Sequence, residues 1–125
     1  MTPRFLYILL FSFFFIACSD YNKILKSNDL RLKYDKAVEY YEKKQYFKAY
    51  PLLEELSVIY RGTSKAEQID YYLAYCDYYT GDLLYAAYRF KRFAQTYPKS
   101  KYAEECSFMS AYCYYRNSPQ YSLDQ

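Results

Sequence analysis

The tripeptide Ala74-Tyr75-Cys76 recurs 37 positions later as Ala111-Tyr112-Cys113, and this recurrence is the strongest indication of the architecture. The same offset carried back from Ala74 reaches Ala37, and each of these alanines is followed by a tyrosine one helical turn later. A fixed internal period of this size is typical of stacked units that bury their apolar faces against one another. We therefore expect a solenoid that presents a concave surface to a ligand.

The first repeat unit has the pattern of two antiparallel helices. Apolar residues spaced by three and four positions predict one helix over residues 28–44 and another over residues 46–60, with a tight turn at Lys44-Gln45. Pro51 leaves two alternatives open for the second helix. Either the helix is kinked at this proline, or it begins later, near Tyr50.

The second unit carries clear helix signals. The segment SKAE at 64–67 predicts a capping box, in which serine and glutamate side chains bond the free amides of a helix start. That helix is predicted to stop at Gly81, a residue that adopts the left-handed conformation without strain. Asp82 then caps a helix that ends at Thr96, before Pro98.

The third unit is incomplete in this chain. Its first helix is predicted to follow Ser100 and to run to about Arg116. The final segment SLDQ at 122–125 is a second predicted capping box, and one turn is too short to form a helix alone. We therefore expect this chain to be the amino-terminal part of a longer protein.

Both complete units resemble the tetratricopeptide repeat, in which small residues lie where helices cross closely and aromatic residues fill the gaps. The period of 37 exceeds the usual length of about 34, Asp77 replaces the usual tyrosine, and Arg61 replaces the closing proline. The resemblance implies an all-α fold, a tetratricopeptide-type α-solenoid of about two and a half repeats over residues 28–63, 64–99 and 100–125. The matching residues are Ala37, Tyr40, Tyr46, Ala49, Leu53 and Leu56, then Leu73, Ala74, Gly81, Ala86, Phe90, Phe93 and Pro98.

The amino terminus has the pattern of an export signal. Residues 1–17 contain an apolar run that is too short to cross a bilayer core of about 30 Å but suits a cleaved signal peptide. The segment FIAC at 15–18 resembles the lipobox of bacterial lipoproteins, which implies that Cys18 is lipidated after cleavage. The alternative is an ordinary secretory signal followed by a chance cysteine. Residues 18–27 are interpreted as the lipidated cysteine and a short polar tether.

The composition argues against catalysis. The chain has no histidine, and its two glycines fall at predicted turns, so a common catalytic base and a phosphate-binding loop are both missing. Cys76, Cys106 and Cys113 are predicted to be small buried residues, because helical geometry places them too far apart for a disulfide or a shared zinc ion. Acids are interspersed with the 17 lysines and arginines, which does not suggest nucleic-acid binding. We expect no enzyme activity, no cofactor and no metal.

Four further segments indicate which family of tetratricopeptide proteins the chain resembles. The sequences FAQTYPKS (93–100), YAEE (102–105), SP (118–119) and SLDQ (122–125), together with the lipobox, resemble the BamD family of tetratricopeptide lipoproteins. The resemblance implies an outer-membrane, lipid-anchored protein on the periplasmic side that helps to fold and insert β-barrel proteins. It also implies a partner, the barrel-forming subunit BamA, contacted mainly through later repeats.

The concave face of tetratricopeptide modules is lined by the first helix of each pair. In the BamD family the amino-terminal repeats are thought to receive the carboxy-terminal segment of unfolded barrel proteins, which ends in an aromatic residue. An aromatic-walled groove suits such a ligand, although some of these rings are expected to pack between helices. The predicted groove residues are Tyr34, Val38, Tyr41, Tyr71, Tyr75, Tyr78, Phe108, Tyr112 and Tyr115.

Other interpretations stay open at this stage. A different periplasmic tetratricopeptide adaptor lipoprotein fits the same features. A SusD-like glycan-binding lipoprotein fits less well, because such chains are far longer and stack sugars on tryptophan, which this chain lacks. A group of basic residues is interpreted as solvated helix faces, with contact to acidic partners or lipid headgroups as the alternative: Lys33, Lys36, Lys43, Lys44, Arg89, Lys91 and Arg92.

Overall fold

The structure is a computed structural model of the chain that describes residues 16–119, with side chains from residue 20 onward. The predictions for the signal peptide before residue 16 and for the capping box at 122–125 lie outside the described residues. Within the described part there are six α-helices and no strand, and none of these helices is long and apolar enough to span a membrane. The helices are α1 (Ile16–Leu25), α2 (Leu30–Glu42), α3 (Tyr46–Ile59), α4 (Ala66–Thr80), α5 (Leu83–Thr96) and α6 (Ala103–Asn117).

The helix boundaries confirm the internal period. Helices α3 and α5 both contain 14 residues and α4 and α6 both contain 15, and each pair is offset by 37 positions. Each helix from α2 to α6 packs on the next along the chain. The fold is therefore a tetratricopeptide-like solenoid of antiparallel pairs, α2 with α3 and α4 with α5, followed by α6 as the first helix of the third unit.

The segment interpreted as a polar tether contains a helix. Within α1, Tyr21, Ile24 and Leu25 are half-buried against the core of the first unit. The Tyr21 hydroxyl donates to the carbonyl oxygen of Lys48 at 3.1 Å, and its ring lies edge-on to Tyr40 with centroids 5.7 Å apart. Residues 16–25 are therefore attached to the body of the protein through their apolar face.

The turn within each unit uses a left-handed residue. Gly81 has a φ of 94° at the end of α4, and Asp82 caps α5 by accepting from the amide of Tyr85 at 3.1 Å, as predicted. The residue 37 positions before Gly81 is Lys44, which has a φ of 59°. The first unit therefore makes the same turn with a residue for which this conformation is strained.

The structure decides two predictions about helix starts. Helix α3 begins at Tyr46 and continues through Pro51, so the later start near Tyr50 is wrong. The capping box at 64–67 is also wrong, because α4 begins at Ala66 without a side-chain cap. Its glutamate, Glu67, instead accepts from the Ser100 hydroxyl at 2.6 Å, which ties the second unit to the third.

Two successive cores run along the solenoid, and both include side chains of α4. In each core small residues allow helices to approach closely while Leu or Phe fills the remaining space. The three described cysteines are free and buried, as predicted. The first core contains Ala37, Ala49, Leu52, Leu53, Leu56, Ile69, Leu73 and Cys76, and the second contains Ala74, Ala86, Ala87, Phe90, Phe93, Cys106 and Cys113.

Two ion pairs involve buried side chains, and one of them includes Asp77, where the sequence departs from the repeat pattern. Asp77, only 4% exposed, lies where tyrosine is usual, and its Oδ2 is 2.7 Å from Nε of Arg89 on α5. The two atoms form an ion pair without hydrogen-bond alignment. Lys33 is also buried, with its Nζ 2.7 Å from both carboxylate oxygens of Glu55. The interpretation of Lys33 and Arg89 as solvated basic residues is therefore wrong.

Candidate peptide-binding face

The nine predicted groove residues lie on the first helices α2, α4 and α6, and their exposure rises along the chain. The six residues of the first two units are half-buried. In the third unit Phe108 is 65% exposed, Tyr112 36% and Tyr115 77%. The surface available to a ligand is therefore concentrated at α6 and at the part of α4 that borders it.

Two of the predicted residues connect successive units. The Tyr34 hydroxyl donates to Oε1 of Gln68 at 2.6 Å, and the Tyr71 hydroxyl donates to Oε1 of Glu105 at 3.0 Å. Both bonds join the same repeat positions, because donors and acceptors are each offset by 37. Tyr71 is also stacked on Tyr102 at 4.3 Å. Both tyrosines therefore serve mainly to hold neighbouring first helices together.

Tyr41 is likewise occupied by packing. Its ring is stacked on Tyr72 with centroids 4.1 Å apart and meets Tyr46 edge-on at 5.7 Å. Burial, reinforced by neighbouring phenols, raises the pKa of Tyr41. Tyr41 is thus part of the contact between the first and second units.

A connected line of rings remains, which we call the aromatic row. Tyr79 lies 4.5 Å from Tyr46 and 5.8 Å from Tyr75. Tyr78 connects Tyr75, at 6.4 Å, to Tyr112, at 6.5 Å, and Tyr112 is stacked on Phe108 at 5.9 Å. Centroid spacings of this size are normal for interacting rings. The row comprises Tyr46, Tyr79, Tyr75, Tyr78, Tyr112 and Phe108.

Two hydroxyl groups of the aromatic row, those of Tyr75 and Tyr78, form hydrogen bonds with charged side chains. Tyr75, like Tyr71, donates to Glu105, and burial together with this carboxylate raises the pKa of both phenols. At the other side Arg116 Nη1 donates to the Tyr78 hydroxyl at 3.2 Å, and its guanidinium carbon lies 5.7 Å from the centre of the Tyr78 ring. The row therefore has a carboxylate near its half-buried part and an exposed cation near its open part.

Sequence reasoning missed four participants of this face, and one of them, Tyr46, was predicted only as a match to the repeat pattern. Tyr79 is 52% exposed and follows Tyr75 by one helical turn, so helical periodicity was a signal that could have identified it. Glu105 and Arg116 give no local sign of their roles, because their partners lie 30 to 38 positions away.

The fold and this face define a class, a tetratricopeptide-like α-solenoid with a partly exposed row of aromatic side chains, five of its six members on first helices. The chain belongs to the YfiO family of outer membrane lipoproteins, whose family model matches residues 27–125. Comparison with curated proteins and with solved structures gives no significant match.

Proposed function

We propose that this chain is a scaffold of the outer-membrane β-barrel assembly machinery, with the role that BamD has in that machinery. Membership in a family of outer membrane lipoproteins supports the location, and the solenoid supports a binding role. The observation that carries the proposal is the aromatic row, whose exposed members offer apolar surface at low entropic cost. The protein acts by binding and does not catalyse a reaction.

The proposed anchor is at Cys18. Cleavage after residue 17 would make this cysteine the new amino terminus, where a diacylglycerol on sulfur and a third acyl chain on nitrogen hold the protein on the membrane. Each buried methylene contributes about 0.8 kcal/mol, so three chains give essentially permanent attachment. The solenoid would then lie on the periplasmic side of the outer membrane.

The proposed ligand is an extended segment of an unfolded barrel protein. Such a strand alternates apolar and polar side chains, and its aromatic residues would contact Phe108, Tyr112 and Tyr79, the exposed rings of the row. Arg116 offers a cation close to these rings for a carbonyl or carboxylate of the segment. A BamA-like barrel subunit is the proposed assembly partner.

Peptide binding tests this proposal. Phe108→Ala combined with Tyr112→Ala removes two exposed rings, each worth about 1 kcal/mol or more at a binding hot spot, so affinity for a barrel-terminal peptide should fall about 30-fold. The matched control is Tyr88→Ala, since Tyr88 is 52% exposed but lies on the second helix α5, away from the row. Unchanged affinity in a folded double variant would show that the rings serve only packing.

Membrane attachment and the partner need separate measurements. Cys18→Ser should move the protein from the membrane fraction to the soluble fraction, and mass spectrometry of the amino-terminal peptide should show the acyl chains. Recovery of a barrel-forming subunit with the lipidated protein supports the assembly role. Recovery of division or envelope-remodelling proteins in its place would contradict that role.

A further inference from the structure

The packing of α1 determines where the chain's attachment point lies. Tyr21 contacts Tyr40 near the end of α2 and the carbonyl of Lys48 in the first turn of α3. Residue 18 precedes Tyr21 by three positions, which is about 4.5 Å along a helix axis. Since α1 runs back toward the start of α2, its own first residues lie at the edge of the solenoid formed by the α2–α3 turn.

This edge exposes a large apolar side chain. Phe47, in the first turn of α3, is 79% exposed, the highest value among the described large apolar residues. At the equivalent repeat position, Leu84 in the first turn of α5 is 56% exposed, and the next residue, Tyr85, is 46% exposed. Both positions lie in the first turn of the second helix of their unit, so these side chains are on the same edge of the solenoid, and together we call them the apolar strip.

Cations accompany the strip at the α2–α3 turn. Lys44 and Lys48 are exposed, and Lys48 lies 5.6 Å from the centre of the Tyr40 ring. The nearby acids are Glu42 and Asp20, both exposed, so the two lysines and the two acids at this turn balance in charge. Such an edge, aromatic and apolar with flanking lysines, has the composition of a surface that sits at the membrane interface.

From these observations we infer that the edge bearing Phe47 and Leu84 rests on the lipid bilayer and fixes the orientation of the solenoid relative to the membrane. The inference rests on the proposed lipid anchor at Cys18. Because α1 is packed on the body, the acyl chains are not at the end of a free tether but next to this edge. Attachment therefore presents the strip to the bilayer at high effective concentration, so that even a weak contact is occupied.

The absence of tryptophan makes a direct test possible. Phe47→Trp gives the full-length lipidated protein a single tryptophan, which is followed in phosphatidylethanolamine–phosphatidylglycerol vesicles with or without brominated acyl chains. A ring at the boundary between headgroups and acyl chains lies about 5–10 Å deep, so its emission should shift to the blue and fall roughly twofold with brominated lipid. Leu84→Trp is a second reporter on the same edge and should respond in the same direction.

The matched control is Val58→Trp, which replaces another apolar residue of α3, 65% exposed, near the opposite end of that helix. Its emission should be unaffected by brominated lipid. One contrary outcome is that the protein floats with the vesicles while brominated lipid quenches the emission of Phe47→Trp no more than that of Val58→Trp. In that case the proposed orientation is wrong, whereas the proposed lipid anchor is supported. If the protein does not float, the anchor itself is wrong, and this inference falls with it.

Discussion

The buried carboxylate of Asp77 should give the protein an unusual dependence of stability on pH. Burial raises the pKa of Asp77 from 3.8 to about 6, although the guanidinium of Arg89 acts in the opposite direction. The folded state therefore binds this proton more tightly than the unfolded state does. On account of this group, the free energy of unfolding is highest at low pH and falls as the pH rises from about 4 to about 6.

The size of the effect follows from the two pKa values. Between pH 4.5 and pH 7 the contribution of Asp77 to the free energy of unfolding should fall by about 2 kcal/mol. Asp77→Asn should remove this slope, even though it lowers stability overall by removing the carboxylate that lies 2.7 Å from Arg89 Nε in the protein interior. The comparison therefore concerns the slope with pH and not the absolute stability.

Urea unfolding followed by circular dichroism at several pH values measures this slope. The control is Asp35→Asn, which removes an exposed carboxylate from α2 and should keep the wild-type profile. Glu39, whose pKa is lowered to about 2 by hydrogen bonds from Lys36 and Lys43, acts in the opposite sense below about pH 4.5, which is why the window begins there. A parallel profile for Asp77→Asn and wild type would refute the argument that burial of this carboxylate controls the slope.

Two further predictions concern the turn and the cysteines. Lys44→Gly should raise the free energy of unfolding by about 1 kcal/mol, because a lysine held at a φ of 59° is strained and the equivalent residue of the next unit is Gly81. Thermal unfolding checks this, and Lys43→Gly, at a φ of −77°, should destabilise the protein and so excludes a general benefit of glycine in the turn. The thiols of Cys76 and Cys106, whose pKa values burial raises to about 12, should resist alkylation at mildly alkaline pH until urea unfolds the chain. Rapid labelling of either thiol in the folded protein would contradict the core described above.

Local signals were sufficient for much of the fold. The left-handed Gly81 and the cap at Asp82 depend on residues close in sequence, whereas the period of 37 is read from a pattern repeated along the chain, and the structure confirms all three. The capping box predicted at 64–67 does not form, because its glutamate has a partner that is distant in sequence. Its Glu67 side chain is recruited by Ser100, 33 positions away, and no local pattern contains that information.

In the candidate binding face, too, local patterns predict some features and non-local contacts decide the others. Periodicity placed the nine predicted groove residues on the first helices, but it did not show which of their rings already pack against other parts of the protein. Tyr34, Tyr71 and Tyr41 are occupied because Gln68, Glu105 and Tyr72 of the following first helices lie against them. The burial of Lys33 depends in the same way on Glu55, 22 residues away. Non-local partners therefore separate packing residues from those available to a ligand.

Because helix α4 contributes side chains to both cores, it determines how the solenoid unfolds. Ile69, Leu73 and Cys76 on one side of α4 belong to the first core, while Ala74 belongs to the second. Detaching α4 would expose both cores to water at once, so the repeats should not unravel one at a time. Hydrogen exchange should therefore be slowest for the amides of α4, while α1 and the end of α6 exchange through fraying without disturbing the centre.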